Sequence, residues 1–261
     1  MSVAMATMTT RTMLNSPSLI VPDWPAPVRV RSLLSTRNGG ASQGDYSSFN
    51  LGAHVGDDPL AVLANRERLL ASVQGAPVWL NQVHGTCVVD ASLFSAGDQA
   101  PEADASFSRK AGAVCVVMTA DCLPLLLCDQ AGRVVAAAHA GWRGLLAGVL
   151  EETITAMGVP GAKLMAYLGP AIGPLAFEVG EEVRSAFVAA DESAAVAFKP
   201  SQPGKWLADI YRLARLRLAG QGVTRIFGGS FCTVSEADRF FSYRRDGQTG
   251  RMASMIWLDR G

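Results

Sequence analysis

Three apolar runs dominate the middle of the chain. Ala113 to Met118, Leu123 to Cys128 and Val134 to Ala138 are continuously hydrophobic, the pattern of strands buried on both faces rather than wet on one. Asp129-Gln130-Ala131-Gly132 separates the last two and predicts a hairpin. Upstream, Val28 to Arg37 reads as a strand that ends in the turn Asn38-Gly39-Gly40. Asp57-Asp58-Pro59 supplies a helix N-cap with proline at the first helical position. Leu60, Leu63, Leu69, Leu70 and Val73 then follow at mostly helical spacing up to Gly75. Ala76 to Val83 predicts a strand running into His84-Gly85, and the polar stretch Ser95 to Ser108 predicts a surface loop.

Beyond the apolar runs, Gly141-Trp142-Arg143-Gly144 opens a predicted helix continuing through Ala156 and stopping at Gly158. Lys163 to Leu168 and Thr224 to Phe227 read as strands, and Glu181 to Ala190 and Leu207 to Gln221 as helices. Phe240 to Arg244 and Met252 to Leu258, across a glycine-containing turn, form a second hairpin pattern. There is no fixed-period repeat and no convincing linker. Hairpins mixed with helices point to one α+β domain with mixed sheets, residues 24–261. Residues 1–23 are expected to be a disordered leader; Met1 to Asn15 is rich in Thr and Met but lacks the apolar core of a secretory signal.

Composition narrows the function. The chain has 261 residues, enough for a sizeable core without staples, and 23 basic residues offset 23 acidic ones. That balance argues against a nucleic-acid groove and against an anionic membrane surface, both of which need a basic excess. No apolar run reaches the roughly 18–20 residues that span a bilayer. Five cysteines, an odd number in a chain of this size, point to reduced thiols and a cytoplasmic location. Small-molecule chemistry remains.

The three histidines are the scarcest resource. His84 follows one predicted strand, His139 ends another, and Cys122 comes just after a third in Thr119-Ala120-Asp121-Cys122. Two imidazoles and a thiolate, all at strand ends beside small residues, form a catalytic zinc complement with a fourth position left for water. Cys122 and His139 are thus both metal and catalytic candidates, and Asp121 is the nearest carboxylate able to carry a proton or, equally, to cap a turn. Cys87, Cys115, Cys128 and Cys232 are assigned to packing, and His54 to a structural loop role. Copper is a weaker alternative, because an electron-transfer site needs an axial ligand and a multicopper centre needs more than three imidazoles. The H-x-E and P-C-x-x-C deaminase signature is absent.

Arginines beside glycine-rich turns form a second constellation: Arg37, Arg143, Arg244 and Arg245. Guanidinium suits bidentate oxyanion binding, and the turn at Gly141 also opens a helix whose N-terminus favours anions. No GxxxxGK[ST] loop exists, which leaves inorganic phosphate or a carboxylate as the anion, or plain surface salt bridges.

Asn81-Gln82-Val83-His84-Gly85, Thr119-Ala120-Asp121-Cys122-Leu123-Pro124 and Ala138-His139-Ala140-Gly141-Trp142-Arg143-Gly144 resemble the signatures of the bacterial YfiH/YlmD family. That family is variously named laccase-domain protein, polyphenol oxidase, peptidoglycan editing factor and purine nucleoside phosphorylase. Further matching blocks include Thr36-Arg37-Asn38-Gly39-Gly40, Phe49-Asn50-Leu51-Gly52 and Leu168-Gly169-Pro170-Ala171-Ile172-Gly173. The resemblance runs from Trp24 almost to the C-terminus. It implies a four-layer α/β/β/α sandwich and a zinc ion held by His84, Cys122 and His139. It also implies phosphorolysis of adenosine, inosine and methylthioadenosine, with adenosine deamination alongside. Purine nucleoside and inorganic phosphate would be the partners, with Arg37, Asn50, Arg143 and Arg245 the candidates to hold them. Rival readings are a cysteine hydrolase or amidase editing peptidoglycan precursors, a copper-dependent polyphenol oxidase, and a metal-binding interaction protein.

Overall fold

The computed structural model describes residues 18–95 and 97–260. In chain order, β1 (Leu19–Ile20), β2 (Val30–Ser35) and α1 (Pro59–Leu70) come first. Six strands follow with no α-helix between them: β3 (Ala76–Val78), β4 (Val88–Asp90), β5 (Ala105–Ser108), β6 (Ala113–Thr119), β7 (Leu123–Asp129) and β8 (Val135–Ala140). Then come α2 (Trp142–Ala147), α3 (Val149–Met157), β9 (Leu164–Leu168), β10 (Glu178–Gly180), α4 (Glu181–Ala190), β11 (Phe198–Pro200), β12 (Lys205–Ala208) and α5 (Ile210–Gly220). The last elements are β13 (Arg225–Gly228), α6 (Tyr243–Asp246) and β14 (Met252–Leu258). The fold is α+β with mixed sheets. One sheet has the order β1-β2-β14-β6-β3, a second β13-β9-β7-β8-β5-β4, and a small third β10-β12-β11.

Why the central strands are apolar throughout is visible in their side-chain parity. On β6, Cys115 and Val117 pack toward Leu126, Cys128 and Ala137 of the other large sheet, while Val114 and Val116 pack with Leu69 of α1 and with Phe49 and Leu51. On β7, Leu123, Leu125 and Leu127 meet residues of α3 and α5, and Leu126 and Cys128 meet the first sheet. With a side-chain period of two and both faces covered, every position must be apolar. The predicted β7–β8 hairpin is present, antiparallel with Leu126 opposite Ala137. α1 starts where the capping pattern predicts, with the Asp58 side chain accepting from the Leu60 N–H and Pro59 in the first turn.

Several expectations need correction. Ser95 to Ser108 is not all surface loop: Ala105–Ser108 is a buried strand joined antiparallel to β8 and parallel to β4. Phe107 is its one large apolar side chain, too little for an apolar run, and pairing with β8 and β4 places it. The second hairpin does not form either. β14 is paired on both edges, by β2 and by β6, so no edge remains for Phe240 to Arg244. That segment instead buries Phe240 and Phe241 completely and turns into α6. The helix predicted from Gly141 breaks at Gly148, which adopts φ +106°, dividing it into the short α2 and the longer α3. The strand predicted to Val83 ends at Val78, and short strands at Val88–Asp90, Glu178–Gly180, Phe198–Pro200 and Lys205–Ala208 were not foreseen. The leader assignment lies outside the described residues up to position 17; beyond it, Leu19 and Ile20 pair with Ser35 and Leu34 and belong to the sheet. Among the described residues no helix is long and apolar enough to cross a membrane.

Candidate active site

His84, Cys122 and His139 come together. One ligand atom from each lies within 4.8 Å of the others, although 38 and 17 positions separate them along the chain. Each arrives by a different local device. His139 is the penultimate residue of β8, before Ala140, and is buried. Cys122 directly precedes β7, and the β7–β8 pairing sets Leu123 opposite Ala140, so both donors stand at one sheet end. His84 sits on the loop after β3 in the left-handed region, at φ +62°. Gln82 secures that loop by exchanging two hydrogen bonds with the backbone of Met118, donating to its carbonyl and accepting from its N–H.

Asp104 is the organising group, and sequence reasoning missed it inside the stretch read as a surface loop. It is completely buried. Its carboxylate accepts from the backbone N–H groups of Val83, His84 and Gly85 at 3.2, 2.9 and 2.7 Å and stands 2.7 Å from His139 Nδ1. Burial opposes its charge, but these donors outweigh burial and hold the carboxyl below its ordinary range. Three amide donors converging on one carboxylate also stabilise the strained left-handed turn at His84. With Nδ1 engaged, His139 presents Nε2 to Cys122 and His84. The only sequence hint was the charge itself, flanked by alanines in Glu102-Ala103-Asp104-Ala105.

The donor set fits a metal ion. His84 Nε2 lies 3.7 Å from Cys122 Sγ. Zn–N of about 2.1 Å and Zn–S of about 2.3 Å give an edge of about 3.6 Å around one tetrahedral ion. Gly141 keeps the cradle open, because a Cβ there would stand 2.9 Å from His84 Cδ2 and 3.0 Å from Cys122 Sγ. The carboxylate behind His139 is the outer partner that orients metal-bound imidazoles. In the protein alone, burial would raise the Cys122 thiol, yet the neighbouring His139 and His84 pull it down to about 6. Burial likewise disfavours a charged His139, but the Cys122 thiolate and Asp104 bring it up to about 9. A thiolate at neutral pH is the form a metal binds.

Two cavities meet at this group. One, of about 360 Å³, is lined by His54, Gln82, Thr119, His139 and Arg251 among others; the other, of about 250 Å³, by Trp142, Arg143, Phe177, Ile210 and Arg244 among others. His84, Ala120, Cys122 and Tyr243 line both. The structure divides the predicted anion binders. Arg143 lines the smaller cavity. Arg37 does not line either; it donates to the Ser47 and Ala237 carbonyls and covers the Phe241 ring. Arg245 donates to the Thr233, Val234 and Phe240 carbonyls and pairs with Asp246. Both are structural clamps. Asn50 is buried away from the cavities and holds the Gly52 and Arg251 N–H groups through Oδ1. Asp121 takes a hydrogen bond from Thr233 Oγ1 at 2.5 Å and one from the Arg244 N–H at 2.6 Å, so both carboxylate oxygens serve the turn, as its capping reading has it. α2 has only six residues and carries no weight as an anion site. Among the presumed packing cysteines, Cys115 and Cys128 are buried with thiols pushed up to about 12, whereas Cys87 is exposed. His54, expected to be structural, faces the larger cavity.

The sequence profile of the multi-copper polyphenol oxidoreductase laccase family matches residues 31–259. Over 240 residues the chain is 58% identical to a purine nucleoside phosphorylase of Pseudomonas aeruginosa, covering 92% of this chain and 98% of that one. It is equally 58% identical to the purine nucleoside phosphorylase YfiH of Escherichia coli over 243 residues, with the same coverage. Among solved structures, a Neisseria meningitidis protein superposes with a TM-score of 0.90 at 57% identity, covering 92% of this chain and 99% of that chain. YlmD of Geobacillus stearothermophilus does so with 0.84 at 30% identity, covering 91% and 94%. A profile spanning nearly the whole described fold, relatives this close and a shared architecture leave one conclusion: the chain belongs to the YfiH/YlmD family, the laccase-domain group.

Proposed function

We propose that this protein is a zinc-dependent purine nucleoside phosphorylase acting on adenosine, inosine and methylthioadenosine, with adenosine deamination as an accompanying activity. The observation that carries the reading is the convergence of two imidazoles and a thiolate at the seam of two cavities, supported by the activity named for its close relatives. His84, Cys122 and His139 would hold the ion. Bound zinc supplies Lewis acidity at that seam. The multi-copper name is a poor guide to chemistry here, since a chain with three histidines lacks the imidazoles such a centre needs.

In phosphorolysis an oxygen of hydrogen phosphate forms the bond to ribose C1′ as the C1′–N9 bond breaks. The bonding pair leaves with the purine, which takes the phosphate proton, giving ribose 1-phosphate and free base. The chain's part is chiefly positioning and charge neutralisation. The larger cavity falls within the size usual for small-ligand sites, about 300–1,000 Å³. Asp104 fixes the His139 ring and the His84 backbone together, so both imidazoles hold station during turnover. Trp142 and Tyr243 offer flat surfaces beside the seam.

Hypoxanthine release from inosine by zinc-loaded protein should depend on phosphate and vanish in His139→Ala. Full release without phosphate removes the phosphorylase reading. The depressed Cys122 thiol beside a cationic His139 also favours a second reading, a cysteine hydrolase acting on amides. Stoichiometric zinc in the purified protein argues for the first; metal-free protein that accumulates an acyl-Cys122 adduct argues for the second.

A further inference from the structure

The two cavities differ in chemistry, and the difference assigns their occupants. Among the described residues no carboxylate lines the larger one. Its one guanidinium among the described residues is that of Arg251, half-buried directly before β14. Among the described residues Arg251 makes no ion pair: Nη1 donates to the Thr249 and Gly250 carbonyls at 2.9 and 3.0 Å, and Nε and Nη2 have no acceptor there. Arg66, close by but not on this cavity's wall, donates to the Leu51 carbonyl and stacks on Trp79. Arg143 and Arg244 are exposed, Arg244 donates to the Glu178 carbonyl, and Arg37 and Arg245 are spent on backbone carbonyls.

Arg251 is also held in place from behind. Its N–H donates to Asn50 Oδ1 at 2.8 Å, its carbonyl accepts from the Leu51 N–H at 3.1 Å, and Gly52 packs so closely that a Cβ there would stand 2.8 Å from Arg251 Cγ. An anchored stem whose guanidinium lies over the Tyr243 ring and keeps its Nε and Nη2 edge for a ligand is a preorganised oxyanion binder. Burial and the nearby cations Arg251 and Arg66 both keep His54, on the same cavity wall, toward its neutral form, in which one ring nitrogen donates. Gln82, by contrast, has its amide committed to Met118.

The smaller cavity carries aromatic and aliphatic surface from Trp142, Phe177, Ile172, Ile210 and the shared Tyr243, beside the exposed guanidiniums of Arg143 and Arg244. Asp121 on its wall is already doubly hydrogen-bonded. Such a lining suits a flat heteroaromatic ring.

We propose that Arg251 is the phosphate-binding residue and the larger cavity the anion subsite, while the smaller cavity takes the purine base, so that ribose C1′ lies at the seam beside His84 and Cys122. The assignment rests on the phosphorylase reading for the identity of the ligands, but its anion half stands on equilibrium binding alone. It displaces Arg37 and Arg245 from the role the sequence suggested for them.

The test measures inorganic phosphate binding and hypoxanthine binding separately, by calorimetry on zinc-loaded protein, for the unaltered chain and for Arg251→Gln, Arg251→Lys, Arg143→Gln and Trp142→Ala. Arg251→Gln should weaken phosphate binding about tenfold or more, as loss of charge-assisted hydrogen bonds does, with hypoxanthine binding changed less than about threefold. Arg251→Lys retains the charge and the stem, and should recover part of the affinity at an unchanged melting temperature, which keeps the test standing if the glutamine variant folds poorly. Trp142→Ala should show the reverse pattern, losing hypoxanthine and keeping phosphate. Unchanged phosphate binding in both Arg251 variants overturns the inference, as does a loss confined to Arg143→Gln or an unaltered protein that binds no phosphate. Phosphate binding that needs Arg251, in a protein that never cleaves inosine, would sustain the anion subsite and sink the phosphorylase reading instead.

Discussion

The Asp104 carboxylate stands 2.7 Å from His139 Nδ1 and, through the same oxygen, 2.9 Å from the backbone N–H of His84. One buried side chain therefore sets both imidazoles of the candidate metal centre, the ring of one and the main chain of the other. Asp104→Asn would turn an amide NH₂ or a weaker acceptor toward three N–H donors. We expect metal affinity to fall about 10–100-fold, the usual effect of losing the outer partner of a ligating imidazole. Unfolding free energy should fall by about 1.5–3 kcal/mol for the charge-assisted bonds. Competitive chelator titration and denaturant melts measure the two effects; unchanged metal affinity would contradict the organising role.

Gly141 tests the cradle without disturbing the backbone, since its φ of −60° suits any residue. Gly141→Ala places a methyl 2.9 Å from His84 Cδ2 and 3.0 Å from Cys122 Sγ. Neighbours must then yield by a few tenths of an ångström, in a site where misplacement of about 1 Å costs ~100-fold in rate. Metal per chain and turnover should drop together while the melting temperature of metal-free protein changes little. Full metal occupancy with full activity would rule out the tight cradle.

In metal-free protein Cys122 and His139 form a thiolate–imidazolium pair whose limits are about 6 on the acid side and about 9 on the alkaline side. The cysteine's contribution is lost as pH falls through the lower limit, because its folded pKa is depressed. The histidine's is lost as pH rises through the upper limit, because its folded pKa is raised. Iodoacetamide should thus modify Cys122 with a midpoint near the lower value rather than near an ordinary thiol's, and zinc should protect it. The melting-point advantage of the metal-free wild type over Cys122→Ala should be confined to the same window. An alkylation midpoint near 8.5, the ordinary thiol value, would refute the pairing.

Arg245 reads in sequence as an anion binder and in structure as a clamp on Thr233, Val234 and Phe240. Arg245→Lys cannot reproduce that fork. Stability should fall by about 1–3 kcal/mol from the lost bonds, with the KM for phosphate unchanged. A raised phosphate KM at unaltered stability would return Arg245 to the binding site.

How much of this was written in the chain depends on how local each signal is. The two-face burial of β6, β7 and β8 dictates unbroken apolar runs, and the Asp58-Pro59 start of α1 is settled within four residues, so both are legible in the sequence. The converging group was legible in part: Cys122 and His139 stand at the ends of such runs, whereas His84 lies on a loop beyond β3 and only the scarcity of histidine singled it out. Tertiary structure alone decided the rest. Apart from Phe107, β5 has small side chains, and only its pairing with β8 and β4 makes it a strand that brings Asp104 behind His139. Arginines carry the same charge wherever they lie; whether a guanidinium is spent on carbonyls, like Arg37 and Arg245, or left facing a cavity, like Arg251, depends on partners up to 200 residues away. Hydrophobic periodicity is a short-range property of sequence, whereas hydrogen-bond partners of a buried polar group are chosen by the folded chain.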